Sequence, residues 1–196
     1  MDVEPLNALI PRVRTLAPER RILVFGSSSL FASFPTDPPS RIGVEWTLDA
    51  DFFLDPDDEL LRARLLAQLG RNRSYHAETG YYGDFVDLRL AESFPAGWRE
   101  RLVPMPEFDN VCALDPVDMA VTKITATASA RLSIRLARGG VDRGMKDISV
   151  IVALLKNGRL AREEIERRLD ALDCQPALIV ECWQVFTTIT EMASQA

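Results

Sequence analysis

The chain has 196 residues, 47% of them hydrophobic, with a formal net charge of −6. That length and apolar content suit one globular domain, or one domain with a helical extension. The acidic balance argues against a free-standing nucleic-acid binder, although a local basic groove stays open. No apolar run is long enough to span a bilayer, the longest in the last third being residues 150–155. Residues 1–5 show no basic region followed by an apolar core, so no secretory signal is expected. Cys112, Cys174 and Cys182 lack CxxC spacing and read as reduced thiols of a cytoplasmic protein.

In chain order, Leu6, Leu9, Ile10, Val13 and Leu16 recur at helical spacing and predict a packing helix over 5–16. Residues 21–26 form an apolar run closed by Gly26, the pattern of a central strand. Ser27, Ser28 and Ser29 follow, where a helix can begin. A strand, a glycine, hydroxyls and a helix N-terminus together make an anion site, and equally make an ordinary turn.

After a proline-rich loop at 35–40 comes Trp46-Thr47-Leu48-Asp49-Ala50-Asp51-Phe52-Phe53-Leu54. Its apolar residues favour a buried strand, and a side-chain period of two puts Asp49 and Asp51 on one face. Two acids so placed repel each other, and burying them uncompensated is costly. A divalent cation with hard oxygen ligands, Mg²⁺ or Mn²⁺, answers that cost.

A helix follows from the acidic segment 55–59 to about residue 69. Residues 74–79 and 81–90 alternate and read as a hairpin, with Asp87 as a third acid set into a strand. A short strand over 110–114 leads to Asp115-Pro116, an N-cap acid with proline at the first helical position. Helices are expected over 117–136, 143–156, 161–172 and 176–193. The fold class is therefore α/β (α+β): a small mixed sheet flanked by helices over residues 1–114, then a helical region, 115–196, packed on it.

With these pieces in place the chain resembles the nucleotidyltransferase superfamily, in the branch of AbiEii-type toxins. The resemblance rests on Gly26-Ser27-Ser28-Ser29-Leu30, Thr47-x-Asp49-x-Asp51, Asp87 and Pro95-x-Gly97-Trp98-x-x-Arg101-Leu102. It extends to Leu114-Asp115-Pro116-x-Asp118-x-x-x-x-Lys123 and Lys146-Asp147. It implies transfer of an NMP from a nucleoside triphosphate to an acceptor hydroxyl, with two Mg²⁺ or Mn²⁺ ions held by Asp49, Asp51 and Asp87. Gly26, Ser27, Ser28 and Lys123 would hold the phosphates, and Thr47, Lys146 and Asp147 would support the site. By the same resemblance the acceptor is RNA, such as the 3′ end of a tRNA, and the protein is the toxin of a bacterial toxin–antitoxin or phage-defence pair with a cognate antitoxin.

The helix over 117–136 adds an observation of its own. Its apolar stripe of Val117, Val121, Ile124 and Ala128 runs on into Arg131, Arg135 and Arg138, with Arg143 beyond. These arginines suit triphosphate or RNA phosphates, or else pair with Glu163, Glu164 and Glu166 on a neighbouring helix. His76 reads as structural. Two alternatives stand beside the toxin reading: a non-catalytic nucleotide- or partner-binding module, favoured by Glu45 where relatives often carry arginine, and an antibiotic adenylyltransferase.

Overall fold

The computed structural model describes residues 3–45, 47–137 and 144–195, leaving aside the side chains of residues 3, 92 and 134–137. Its elements are α1 (Val3–Leu16), β1 (Arg21–Phe25), a 3₁₀ turn (Gly26–Ser29), α2 (Leu30–Ser33), α3 (Pro39–Ile42), β2 (Asp49–Asp55), α4 (Glu59–Leu69) and α5 (Ser74–Thr79). They continue with β3 (Tyr82–Phe85), two 3₁₀ turns (Leu88–Ser93, Trp98–Arg101), β4 (Val103–Pro104), β5 (Val111–Ala113), α6 (Pro116–Ala137), α7 (Gly144–Lys156), α8 (Arg162–Asp170) and α9 (Pro176–Ser194). Among the described residues no helix is long and apolar enough to cross a membrane.

The five strands form one mixed sheet in the order β3-β2-β1-β5-β4. β1 runs antiparallel to β2, with Phe25 opposite Asp51, and parallel to β5. β3 runs parallel to β2 and β4 antiparallel to β5. Four of the five residues of β1 are buried, as expected of a central strand covered on both faces. β2 alternates strictly: Ala50, Phe52 and Leu54 point into one core layer, while Asp49, Asp51, Phe53 and Asp55 share the other face.

That second face is divided. Phe25 stacks on Phe53 with ring centroids 4.0 Å apart, and Phe94 closes over both at 6.3 and 5.8 Å. Trp98 packs edge-on against Phe94 at 5.3 Å. The aromatic half is sealed by the chain between β3 and β4, and the half bearing Asp49 and Asp51 is left to other partners.

The expected hairpin is not formed. Ser74–Thr79 is a helix, with Tyr75 buried and Gly80 ending it at a φ of 75°. Six residues hold too few repeats to separate a period of two from one of 3.6, and a left-handed C-terminal glycine decides for the helix. The strand after it ends at Phe85 and pairs parallel with β2, so Asp87 lies outside the sheet, at the start of the following 3₁₀ turn.

The helical half is tied to the sheet half through charge. Asp115 caps α6, its Oδ1 accepting from the N–H groups of Val117 at 2.9 Å and Asp118 at 3.1 Å. Asp118 is wholly buried. Arg101 donates to both its oxygens, from Nε at 2.9 Å and Nη2 at 3.0 Å. Arg168 of α8 reaches Asp118 and Asp115 at 2.6 Å each. One carboxylate thus joins the turn before β4, the first turn of α6 and the last turn of α8. A second tie is steric: Gly43 (φ 72°) lies so close to α7 that a Cβ there would sit 2.8 Å from the Cα of Val150.

Removing one member of a buried ion network leaves the others desolvated and uncompensated, which typically costs about 3–5 kcal/mol. Asp118→Ala is expected to destabilise the protein by that amount in urea unfolding. Asp87→Ala, at a solvent-screened ion pair, is expected to leave the urea midpoint close to that of the wild type.

Candidate active site

The site is built where β1 ends. Gly26 turns the chain out of the strand at a φ of 65°, a conformation that suits glycine. A Cβ on Gly26 would stand 2.2 Å from Oδ2 of Asp51. The carboxylate therefore lies against the glycine backbone, at the mouth of the serine turn. The three serines are buried. Ser28 donates to the Phe25 carbonyl at 3.1 Å and Ser29 to that of Gly26 at 2.7 Å, so both hydroxyls serve the turn itself. Ser27 makes no side-chain hydrogen bond among the described residues, and of the three its hydroxyl is the one left for a ligand.

On β2 the period of two brings Asp49 and Asp51 to one face, as the sequence indicates. The third acid is Asp84 and not Asp87. Asp84 stands directly opposite Asp51 in the parallel β2–β3 register, hence on the same face, and is exposed. Asp87 is turned to Arg89, which donates to it from Nε at 2.9 Å and Nη2 at 2.5 Å, and it lies 3.7 Å from Nη2 of Arg62. Those guanidinium contacts hold its carboxyl down at about 2. It lines a separate open cleft of about 510 Å³ with Arg62, Arg89, Trp98 and Arg99. One clue in the sequence pointed to Asp84: Gly83-Asp84-Phe85 repeats the acid-between-apolar spacing of Ala50-Asp51-Phe52.

Two lysines approach from the helical half. Lys123, from α6, is ion-paired with Asp147 near the start of α7. Lys123 and Lys146 both act on Asp51 in the sense that favours its charged form. Burial, then the negative charges of Asp49 and Asp84, outweigh them and push the Asp51 carboxyl up to about 7. Thr47 is buried just before β2, its N–H donating to the Val44 carbonyl at 3.1 Å.

Among the described residues the expected pairing of the α6 arginines with the acids of α8 is not formed. Arg131 is partly buried on α6, eight residues and about 12 Å along the axis from Lys123, and makes no ion pair among the described residues. Glu164 pairs with Arg167 and Arg168, and Glu166 with Arg162, so these two acids are satisfied within α8. The side chain of Arg135, and Arg138, Arg143 and Trp46 entirely, lie outside the described residues.

Sequence reasoning also passed over Tyr82 and read His76 as structural. Tyr82 stands opposite Asp49 and donates to its Oδ2 at 3.4 Å. The His76 ring meets Tyr82 edge-on at 5.1 Å.

Among the described residues no three His, Cys, Asp or Glu side chains are already drawn together as a set of metal ligands. The donor chemistry nonetheless fits a hard cation. Asp49, Asp51 and Asp84 offer oxygens from one sheet face, and the raised Asp51 carboxyl records a negative charge that the two lysines leave under-compensated. Compared with known proteins, the chain matches no family model, no curated protein and no solved structure.

The raised Asp51 carboxyl has a consequence for stability. Folding favours its protonated form, so its contribution is fully present below the ordinary value of 3.8 and is lost as pH climbs through about 7. In EDTA, Asp51→Asn is expected to raise the melting temperature at pH 8, by about 2–4 °C for each kcal/mol recovered, with the difference from wild type fading towards pH 4. Thermal melts across that range check the sign. Gly26→Ala is expected to destabilise by more than the ~1 kcal/mol of an ordinary positive-φ substitution, because its methyl meets the Asp51 carboxylate; combining it with Asp51→Gly should return part of the loss.

Proposed function

We propose that the protein is a metal-dependent nucleotidyltransferase of the AbiEii-like kind, transferring an NMP from a nucleoside triphosphate to an acceptor hydroxyl. The observation that carries this reading is the Asp51 carboxylate packed on Gly26 at the mouth of a serine turn, with Asp49 and Asp84 beside it and two lysines facing it. Acids, a backbone anion cradle and ammonium groups within one small region match the needs of phosphoryl chemistry, which is mainly positioning and charge neutralisation. The five-stranded mixed sheet with a helical half behind it agrees with a fold of the nucleotidyltransferase type.

Asp49, Asp51 and Asp84 would hold Mg²⁺ or Mn²⁺, which when bound offsets charge on the acids and the triphosphate and lowers the pKa of an adjacent hydroxyl. The chain's own groups do the rest. The N–H groups after Gly26 and the Ser27 hydroxyl bind the β- and γ-phosphates. Lys123, held by Asp147, adds a point charge on the same side. Asp84, the exposed acid of the three, is placed to take the proton of the incoming hydroxyl. A cytoplasmic toxin acting on the 3′ end of an RNA, held in check by an antitoxin, is the biological setting this chemistry suits.

A second reading, a binding module without turnover, draws on two observations: no metal-ligand set is drawn together among the described residues, and two of the three serines are spent on their own turn.

Incubation with each labelled NTP, Mg²⁺ or Mn²⁺ and total RNA separates the two. The transferase reading expects label on the RNA, lowered at least about 100-fold by Asp49→Ala, Asp51→Ala or Asp84→Ala. It expects Asp87→Ala to stay within a few-fold of wild type. Equal inertness of wild type and variants with every NTP and acceptor favours the module, and loss with Asp87→Ala but not Asp84→Ala sinks the assignment of the third acid.

A further inference from the structure

If the transferase reading holds, the order of strands fixes which side of the acids faces the acceptor. The triphosphate cradle belongs to the end of β1 and to α6; the acids of β2 come next, then β3. In an in-line displacement the attacking oxygen enters opposite the departing pyrophosphate. With the pyrophosphate held on the β1 side, the acceptor lies over β3, two strands and roughly 10 Å away.

What stands there is an aromatic side chain with its orientation set at both ends. Tyr82 shares the sheet face of Asp49 and Asp84, is partly exposed and belongs to the outermost strand. Its hydroxyl is tied to Asp49 at 3.4 Å. Its ring is backed edge-on by His76 at 5.1 Å and an interplanar angle of 77°. His76 is itself held, its Nδ1 accepting from the Asn72 N–H at 3.1 Å. The exposed guanidinium of Arg71 is close enough for its charge to be felt at the Tyr82 phenol, and it makes no ion pair among the described residues.

We propose that Tyr82 is the residue that receives the terminal nucleobase of a single-stranded nucleic-acid acceptor, stacking it beside the catalytic acids. A ring already fixed by Asp49 and His76 loses little freedom on stacking. His76 acts through Tyr82 and is a positioning residue.

Two affinities of the full chain test this with Mg²⁺ present: one for a short fluorescent oligoribonucleotide, read by anisotropy, and one for a non-hydrolysable ATP analogue. Tyr82→Leu is expected to weaken oligonucleotide binding roughly 5- to 150-fold and leave the ATP analogue unaffected. Tyr82→Phe, which keeps the ring and loses the hydroxyl, is expected to bind the oligonucleotide within about threefold of wild type. A 4-thiouridine at the 3′ end should crosslink to the Tyr82 peptide of the wild type, a measurement that needs no variant to fold.

Unchanged oligonucleotide affinity in Tyr82→Leu, a Tyr82→Phe as weak as Tyr82→Leu, or a crosslink confined to another peptide overturns the inference. A wild type that binds the ATP analogue but not the oligoribonucleotide overturns it and leaves the transferase reading standing. A wild type that binds neither overturns both.

Discussion

The arrangement turns on one close approach: the carboxylate of Asp51 against the backbone of Gly26. It joins two elements that sequence distance keeps apart, the end of β1 and the middle of β2, and it exists because those strands run antiparallel with Phe25 opposite Asp51. A side chain at position 26 would occupy the space of the carboxylate, so glycine is required there for two reasons, its left-handed φ and its missing Cβ. The approach also sets an electrostatic problem. A carboxylate packed on backbone and flanked by two others is stable as an anion only with positive charge nearby, and the ammonium groups within reach leave the balance short. That uncompensated negative charge favours a cation.

Those ammonium groups come from the helical half, so their placement depends on how that half is fastened. Asp118 does this at the first turn of α6. Its two guanidinium partners come from either side in sequence, Arg101 before the helix and Arg168 well after it. Lys123 lies five residues further along the same helix, and its partner Asp147 sits in the first turn of α7. α7 is located in turn by the contact of Gly43 with Val150, in the loop that leads into β2. The acids and the lysines are thus fixed from two independent directions, one ionic and one steric. The steric tie sits against the apolar core at the buried Val150, and the ionic one adds a directional constraint that apolar packing lacks. A buried charge satisfied by forked donors does not slide.

Much of this was legible in the sequence because it rests on local rules. The pairing of Asp49 with Asp51 on one face follows from the strand period alone. Asp115-Pro116 announces the start of α6, and the helical stripe of α1 matches its buried residues Leu6, Leu9, Ile10 and Val13. What was not legible depends on partners distant in the chain. Asp87 looked like a strand residue because 81–90 alternates; the strand stops at Phe85, where the aromatic pair Phe52–Phe85 ends the useful contact with β2. Asp84 counts only through its register with Asp51, and register is a property of pairing, not of pattern. Ser28 read as a ligand donor, yet a buried hydroxyl with a carbonyl three residues back takes that partner first.

The division of the acidic face into a sealed half and an open half lets one sheet carry both a core layer and an accessible acid cluster. Phe25, Phe53, Phe94 and Trp98 form a continuous aromatic cover over the far half, where burying the phenylalanine rings adds stability without any polar group to satisfy. Had that cover extended one residue pair further along β2, it would have buried Asp51 and Asp84 with no partner. Had it stopped one pair earlier, Phe53 would lie open beside the acids. The boundary falls between Phe53 and Asp51, on adjacent residues of the same face, so the period of two that builds the strand also marks where the core stops and the site begins.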